Sequence, residues 1–564
     1  MHVATVLLAT YAFAGVGYAL QLPFGLQFPW ATARLNNQQL PLAISVEDVH
    51  AEPETPSNRI AIIGAGAGGS SAAFWIGKAK ERWGLDVEVD VFEAKDYVGG
   101  RSTTVQPYND SRLAPIELGA SIFVKANKNL WRASEEFGLN LTDFSDQDGD
   151  DTIGIWDGKE FLLTTQSGTW GRWWTTIKVL WRYGVNAPRK TQALVKDMIN
   201  TYLQLYSTSF GSSPWQDLSH LTTSFEWNSL LNSSATEYLD GQGINPKFTR
   251  EMVESATRVN YGQNADAIHA LEGFTSMAAD NAAQVVGGNW QIFDQFIKHS
   301  NATLYLNTEV TSVTQKADDK FVLHYVTSGS EPTTGSYRAV IFAAPYHTSS
   351  IKLNLLDPSA LPVIPPQPYV HLYVTLLSTP NPSARTRYFG LKEKDTVPSM
   401  VLTTWERARA TEGQEAPEFN SLSYHGKIQA KDSEKNLTKL DVGDSKGRNE
   451  QGEEWSVKIF SDHLLEDGWL RKAFGRIGWV HRKEWDAYPV LPPTDTFPPV
   501  KLAQGLYYVN SFEPFISTME TETISSRNVV ELLLQEGYNA SICKPTANAT
   551  NTDENEDFVY GFDC

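Results

Sequence analysis

Residues 59–69, Arg59-Ile60-Ala61-Ile62-Ile63-Gly64-Ala65-Gly66-Ala67-Gly68-Gly69, carry the clearest chemistry in the chain. Ile60, Ile62 and Ile63 read as a buried strand, and Ser70-Ser71-Ala72-Ala73-Phe74-Trp75 begins a helix. Between them Gly64, Gly66 and Gly69 give the spacing G-x-G-x-x-G. In that spacing Gly64 permits a tight turn, Gly66 lets the backbone approach a pyrophosphate, and Gly69 lets helix and strand pack closely. Free N–H groups at the helix start then hold the phosphate charge. A second strand, Val87-Glu88-Val89-Asp90-Val91-Phe92, ends at Glu93, placed to accept from ribose hydroxyls. The chemistry is dinucleotide binding.

A third element near the other end completes this picture. Gly505-Leu506-Tyr507-Tyr508-Val509-Asn510-Ser511 reads as a strand, and Thr518-Met519-Glu520-Thr521-Glu522-Thr523 opens a helix through Leu534. A strand leading to a helix start is again an anion site, with Glu520 and Thr521 in the first turn. Cofactor-binding elements thus lie in separated stretches, 58–150, 266–345 and 495–540. The fold expected is α/β, a discontinuous Rossmann-like domain with an inserted α+β substrate domain from 151–265 and 346–494. Within the insert, 411–454 is polar and reads as an exposed, mobile insertion.

The chain has 564 residues, net charge -19 and 41% hydrophobic residues, which suits a folded protein of more than one domain. The acidity argues against nucleic-acid binding and against attraction to an anionic membrane. Met1 to Ala19 is almost wholly apolar and ends in Gly17-Tyr18-Ala19, so 1–19 reads as a cleaved secretory signal. The proline-bearing 20–57 reads as a linker or propeptide. Seven N-x-S/T sites, at Asn109, Asn140, Asn232, Asn301, Asn436, Asn539 and Asn548, fit a secretory route. The destination expected is secretion or a vacuolar or lysosomal lumen. The two cysteines, Cys543 and Cys564, lie in the tail 541–564; a disulfide and two free thiols are equally weighted readings. No Cys/His cluster has metal-ligand spacing.

Residues 151–265 are rich in tryptophan, with Trp170, Trp173, Trp174 and Trp181 in a short span. Aromatics this dense line a slot for a long apolar ligand, fill a core, or graze a membrane. The slot is the preferred reading, with Trp174 and Trp181 as substrate candidates.

After Glu93, Val98-Gly99-Gly100-Arg101 resembles the flavoprotein turn that crosses the FAD pyrophosphate, with Gly100 and Arg101 at the cofactor. Glu117-Leu118-Gly119-Ala120-Ser121 is similar to the segment beside the isoalloxazine in that superfamily. The strand from Ala302 to Val313 resembles the one whose backbone, near Val310, brackets the adenine. Leu180-Trp181-Arg182-Tyr183-Gly184, Arg258-Val259-Asn260-Tyr261-Gly262-Gln263 and Lys458-Ile459-Phe460-Ser461 are more specific. On these strings, over about residues 58–540, the chain resembles the prenylcysteine oxidase (prenylcysteine lyase) family of FAD thioether oxidases. The resemblance implies an amine-oxidase-like fold, non-covalent FAD, and oxidation of an S-prenyl-cysteine by molecular oxygen and water. It offers Arg258, Tyr261 and His371 as catalytic candidates. Arg182, Asn260 and Gln263 are the polar substrate candidates. Pro514-Phe515-Ile516 departs from the family's small residues and predicts a bulkier rim at the flavin edge. An oxidase of an amine or another apolar metabolite and a non-catalytic lipid-binding flavoprotein are the alternatives.

Overall fold

The computed structural model describes residues 58–143, 152–166, 168–279, 282–318, 320–410, 413–429, 452–544 and 557–564. The proposed signal 1–19, the linker 20–57, and the sequons at Asn436 and Asn548 lie outside the described residues.

A six-stranded sheet organises the cofactor half. Its order is Lys501–Ala503, Leu506–Tyr508, Ala339–Phe342, Arg59–Ile63, Glu88–Phe92, Thr303–Tyr305. The pairings are parallel except at the edge formed by Lys501–Ala503. Parallel strands buried on both faces need continuous apolar runs; Ile60, Ala61, Ile62 and Ile63 supply one, and Ala339-Val340-Ile341-Phe342 another.

Seven helices matter below: α1 (Ala67–Trp83), α2 (Lys128–Glu136), α3 (Gly168–Tyr183), α4 (Asn186–Tyr202), α5 (Glu254–Tyr261), α6 (Trp290–Ser300) and α7 (Met519–Tyr538). Helices α1, α6 and α7 pack together against the six-stranded sheet. A Cβ on Gly77 would stand 2.8 Å from the Ser300 Cα, so that glycine sets the close approach of α1 and α6.

The stretch expected as one strand from Ala302 to Val313 is two. Asn307 takes φ 51, and the chain breaks there into Thr303–Tyr305 and Thr308–Gln315. The second piece joins a separate four-stranded sheet with Phe321–Thr327, Thr333–Tyr337 and Lys352–Asn354.

The third sheet has seven strands, in the order Val480–Pro489, Tyr369–Thr379, Trp455–Ser461, Ser421–Lys427, Met400–Thr403, Ile153–Trp156, Phe161–Thr164. Ser421–Lys427 corrects the reading of 411–454 as an exposed insertion. This strand sits inside the sheet, with Phe419 and Leu422 buried in its core. The polar neighbours on both sides hid a short apolar alternation. Residues 430–451 are outside the described set.

The tail folds back onto the cofactor domain. Cys543 and Cys564 form a disulfide. Tyr560 N–H donates to the Tyr206 carbonyl at 2.9 Å, and Arg82 donates to the Ile542 and Gly561 carbonyls, both at 2.8 Å. Phe562 packs edge-on against Trp75, with ring centroids 5.1 Å apart. Closing a loop of sequence separation 21 contributes about 3 kcal/mol in the chain-entropy model.

Candidate active site

The glycine turn has the geometry that a bound pyrophosphate requires. Gly64 has φ +103, and a Cβ there would stand 2.5 Å from the Ala343 carbonyl oxygen. A Cβ on Gly69 would stand 1.8 Å from the Gly64 oxygen. Both are glycine because neighbouring backbone fills the space. Gly66 differs: the nearest atom to its Cβ would be the Gly100 Cα at 3.8 Å. That space is bounded by a second glycine, since a Cβ on Gly100 would stand 3.2 Å from the Gly66 Cα. Gly66 caps α1 without a side-chain bond, and the first turn has no acid. The helix start is therefore left to an anion.

Glu93 is buried at the tip of its strand. One carboxylate oxygen accepts from the Ala65 N–H at 2.8 Å and the other from the Lys95 N–H at 2.9 Å. Thr308 N–H donates to the Glu93 carbonyl at 2.8 Å, which brings the strand carrying Val310 to the same corner. Val310 itself is buried in the core between the two sheets.

Opposite the glycine turn, α7 presents a capping box between Thr518 and Thr521. The Thr521 hydroxyl is spent inside the cap and on the Ile516 carbonyl, at 2.7 Å. Glu520 turns away from the cofactor corner. Its carboxylate accepts from Asn129 N–H at 2.8 Å, Leu130 N–H at 2.9 Å and the Tyr206 hydroxyl at 2.6 Å. It caps α2, so its expected role at the cofactor is corrected. The neighbour Glu522 faces the turn instead: a Cβ on Gly68 would meet its Oε2 at 3.1 Å. Its Oε1 is buried with no partner among the described residues, as is the Oδ1 of Asn510. Burial and then Glu513 push the Glu522 carboxyl well above its ordinary range.

Arg101 joins the two halves of the molecule. It pairs with Glu513, donates to the Ala487 carbonyl at 3.2 Å, and lies 5.8 Å from the Tyr369 ring centroid. The Tyr369 hydroxyl also donates to Glu513. Burial opposes the guanidinium charge, but Glu513 and Tyr369 outweigh it and hold the pKa above its ordinary value. A small cavity adjoins this cluster, lined by Tyr346, Tyr369, Tyr508, Asn510 and Pro514 among others. Phe515 and Ile516 are not a rim. Both are buried, with Phe515 against Trp227 and Phe512, because apolar side chains this large find more area inside.

Behind the Glu117–Ser121 segment lies a buried amine, Lys458, which the sequence marks as part of a family string but with no role at the site. Lys458 Nζ donates to the Ser121 hydroxyl at 2.8 Å and to the Gly119 carbonyl at 3.4 Å. Burial lowers its pKa to about 8, opposed by Glu117. Glu117 is pushed by burial to about 7, while its Oε1 accepts from the Asn289 N–H at 2.6 Å.

The string from Arg258 to Gln263 is largely a brace. Arg258 is buried, and donates to Thr403 at 2.9 Å, Asn264 at 3.0 Å and Asn420 at 2.5 Å. These bonds tie α5 to two strands of the seven-stranded sheet, leaving no donor edge for a substrate carboxylate. Gln263 brackets the strand end, donating to the Pro489 carbonyl at 3.0 Å and accepting from Leu491 N–H at 2.8 Å. Asn260 donates to the Ser276 carbonyl at 3.2 Å. Arg182 pairs with Glu251, which also accepts from the Tyr183 hydroxyl at 2.9 Å. Arg182 is thus committed inside the helical layer. The substrate or catalytic roles expected for Arg258, Gln263 and Arg182 are corrected to packing roles; half-buried Asn260 spends one amide N–H on the Ser276 carbonyl.

Tyr261 is the member of that string that reaches toward α7. Its hydroxyl bonds the buried Glu272 carboxyl, which accepts from the Ser517 N–H at 3.2 Å just ahead of the helix. Burial pushes Glu272 up to about 8. His269, one turn earlier, contacts the Pro514 carbonyl at 3.3 Å and is driven by burial to about 4.

His371 is corrected outright. It lies on the solvent side of its strand, between Glu484 at 2.8 Å and Asp486 at 3.0 Å. Those carboxylates raise its pKa. The alternation along Tyr369–Thr379 buries Leu372 and sends His371 outward. Trp174 and Trp181 are also outside: they are 52% and 87% exposed and line neither a closed slot nor a core. Among the described residues no His/Cys/Asp/Glu group could hold a metal ion.

Comparisons with known proteins agree with this arrangement. A family model described as Prenylcysteine lyase matches residues 166–542, and one described as an NAD(P)-binding Rossmann-like domain matches 62–137. The Arabidopsis thaliana "Farnesylcysteine lyase" is 29% identical over 500 residues, covering 86% of this chain and 89% of that protein. The Homo sapiens "Prenylcysteine oxidase 1" is 27% identical over 503 residues, covering 86% and 90%. Among solved structures, a putrescine oxidase aligns with TM-score 0.50 at 14% identity, covering 85% of this chain and 100% of that one. A cyclohexylamine oxidase from Brevibacterium oxydans aligns with TM-score 0.50 at 15% identity, covering 85% and 99%. These two share the fold.

Proposed function

The chain belongs to the prenylcysteine lyase family, and we propose that it is an FAD-dependent oxidase of S-prenyl-L-cysteine. The products are free cysteine, a prenyl aldehyde and H2O2, with molecular oxygen and water consumed. The observation that carries the cofactor is the paired glycine surface of Gly66 and Gly100, with the Glu522 carboxylate close to Gly68 and its Oε1 without a partner among the described residues. FAD fits these residues. The start of α1 would take its pyrophosphate, Glu93 its ribose, and the Val310 strand would lie along its adenine. When bound, the flavin supplies a hydride acceptor and a route to oxygen.

The substrate carbon between sulfur and alkene is the one that can lose a hydride, because both neighbours stabilise positive charge there. Water adds at that carbon, and the resulting hemithioacetal collapses to aldehyde and thiol. The protein's part is to position, to exclude excess water and to hold protons. Tyr261, Glu272 and Ser517 form a connected buried chain suited to holding a proton. Lys458 can neutralise negative charge behind Gly119. For the amino-acid end of the substrate, Arg101, one-third exposed and set over the cavity-lining Tyr369, is the guanidinium this site offers.

The experiment is anaerobic. A yellow holoprotein mixed with farnesylcysteine is expected to bleach, and on admitting air to release one H2O2 per aldehyde. Bleaching by a primary amine instead, with none by the thioether, would favour an amine oxidase.

The secretory route is part of this proposal. It is supported by the apolar start of the chain, the tail disulfide, and the exposure of Asn109, Asn140, Asn232, Asn301 and Asn539. An acidic lumen is supported by the buried acids. A carboxyl whose folded pKa is raised contributes stability below its unfolded value, and loses it as pH rises through the folded value. For Glu272 that window runs from 4.5 to about 8. His269 and His425, lowered to about 4 and about 3 by burial, act oppositely below 6.5. Below pH 6.5 the histidines thus offset part of the fall due to Glu272, and above it they do not. Glu272 alone is expected to cost ~2 kcal/mol between pH 6.5 and 8. Urea titrations of wild type and Glu272→Gln at both pH values check this; equal slopes in the two proteins would refute it.

A further inference from the structure

Helix α3 carries an apolar face that the other described residues leave uncovered. Trp173, Trp174 and Trp181 are 46%, 52% and 87% exposed, and Val185 follows at the turn into α4. Trp174, Ile177 and Trp181 are spaced to share one face of the helix. The opposite side is anchored: Val179 and Tyr183 are buried, and Arg182 is locked to Glu251. The helix is therefore held rigidly with its indoles outward. Large exposed indoles at helical spacing mark a contact surface, since scattered single apolar residues would carry no such register.

The local charge names the occupant. Residues 161–196 contain no Asp or Glu, in a chain of net charge -19. Lys178, Arg189, Lys190 and Lys196 lie in this stretch, and Arg189, Lys190 and Lys196 are exposed on α4. A second copy docked on this same face about a two-fold axis would set the basic segment against itself, whereas an anionic lipid surface attracts it. Indole is also the side chain that settles at the headgroup level, apolar in body with one N–H for the wet side. We propose that α3 and the start of α4 form an interfacial anchor that lays the protein on an anionic bilayer. The helix lies in the plane of the interface; no helix among the described residues is long and apolar enough to cross. The expectation from net charge, that the chain avoids anionic membranes, is replaced by a local exception.

The test is flotation of the full-length flavin-loaded protein with vesicles of phosphatidylcholine alone, or with a quarter phosphatidylserine. Wild type is expected to float with the anionic vesicles and to be released as salt rises. Trp174→Ser with Trp181→Ser should lower the partition coefficient at least roughly tenfold, and Arg189→Glu with Lys190→Glu by a similar factor. Circular dichroism melting verifies that the variants are folded. Three results would overturn the proposal. One is wild type that stays in solution with anionic vesicles. Another is a tryptophan variant that floats as wild type does but has a raised KM for dispersed substrate, which makes α3 a lid. The third is light scattering that shows a dimer broken by the same substitutions.

Discussion

Gly66→Ala is expected to yield a folded protein that purifies without flavin. The two neighbouring glycines set the contrast. A methyl group at residue 69 would be driven into the Gly64 carbonyl, 1.8 Å away, and no flexible side chain is there to yield. Gly69→Ala should therefore cost several kcal/mol or fail to fold, by overpacking against fixed backbone. At residue 66 the backbone has φ -74, which alanine adopts freely, and the nearest atom lies 3.8 Å off. The apoprotein loses nothing. What the methyl group removes is the approach of a phosphate to the N–H groups of α1, where contact must be made at hydrogen-bond distance. Flavin content by absorbance at the visible flavin band should drop more than roughly tenfold, with the melting profile of the apoprotein unchanged. A yellow Gly66→Ala protein with ordinary FAD affinity would remove the cofactor from this site.

The cofactor corner was legible because its requirements are local. A turn that admits only glycine at Gly64 and Gly69 has one spelling, and the strand before it must be apolar on both faces. Glu93 is readable for the same reason, since it follows its strand directly. The residues around Arg101 were not. Glu513 sits in Phe512-Glu513-Pro514-Phe515, where an acid between aromatics signals a buried charge, but its partner is distant in sequence and approaches only through the fold. Lys458 and Glu117 are the same case, an amine and a carboxyl brought near by two different sheets. The specific strings misled in a consistent way. Arg258 and Arg182 have the residue type that binds a carboxylate, and each does bind its own chain's polar groups; a string peculiar to a family marks a constraint without saying whether it is chemical or structural. His371 shows the limit of residue type alone, because a one-residue shift on a strand exchanges interior for solvent. The tryptophans of α3 obeyed the helical period, but period reports which residues share a face and not what that face meets.

The second large effect is expected at Arg101. Its removal strands Glu513, whose side chain is nearly inaccessible and whose remaining partner is the Tyr369 hydroxyl, next to the acidic Glu522. Breaking a buried pair from one side typically costs 3–5 kcal/mol, and about 3 is expected here because the arginine side chain is itself one-third exposed. Arg101→Met should thus shift the urea midpoint down strongly, whereas Arg101→Met with Glu513→Gln should recover most of the loss, since no charge is then left unpaired. Flavin content separates two roles that stability cannot. If Arg101 serves only as the clamp between the glycine turn and the Ala487 strand, the double variant regains its colour along with its stability. If it also holds the cofactor, as its place directly after Gly99 and Gly100 implies, the double variant is stable and remains pale. The second outcome is the one expected, because Glu513 takes one terminal nitrogen of the guanidinium and the Ala487 carbonyl the other, which leaves N–H groups to spare on a residue that directly follows Gly100, the glycine packed on Gly66.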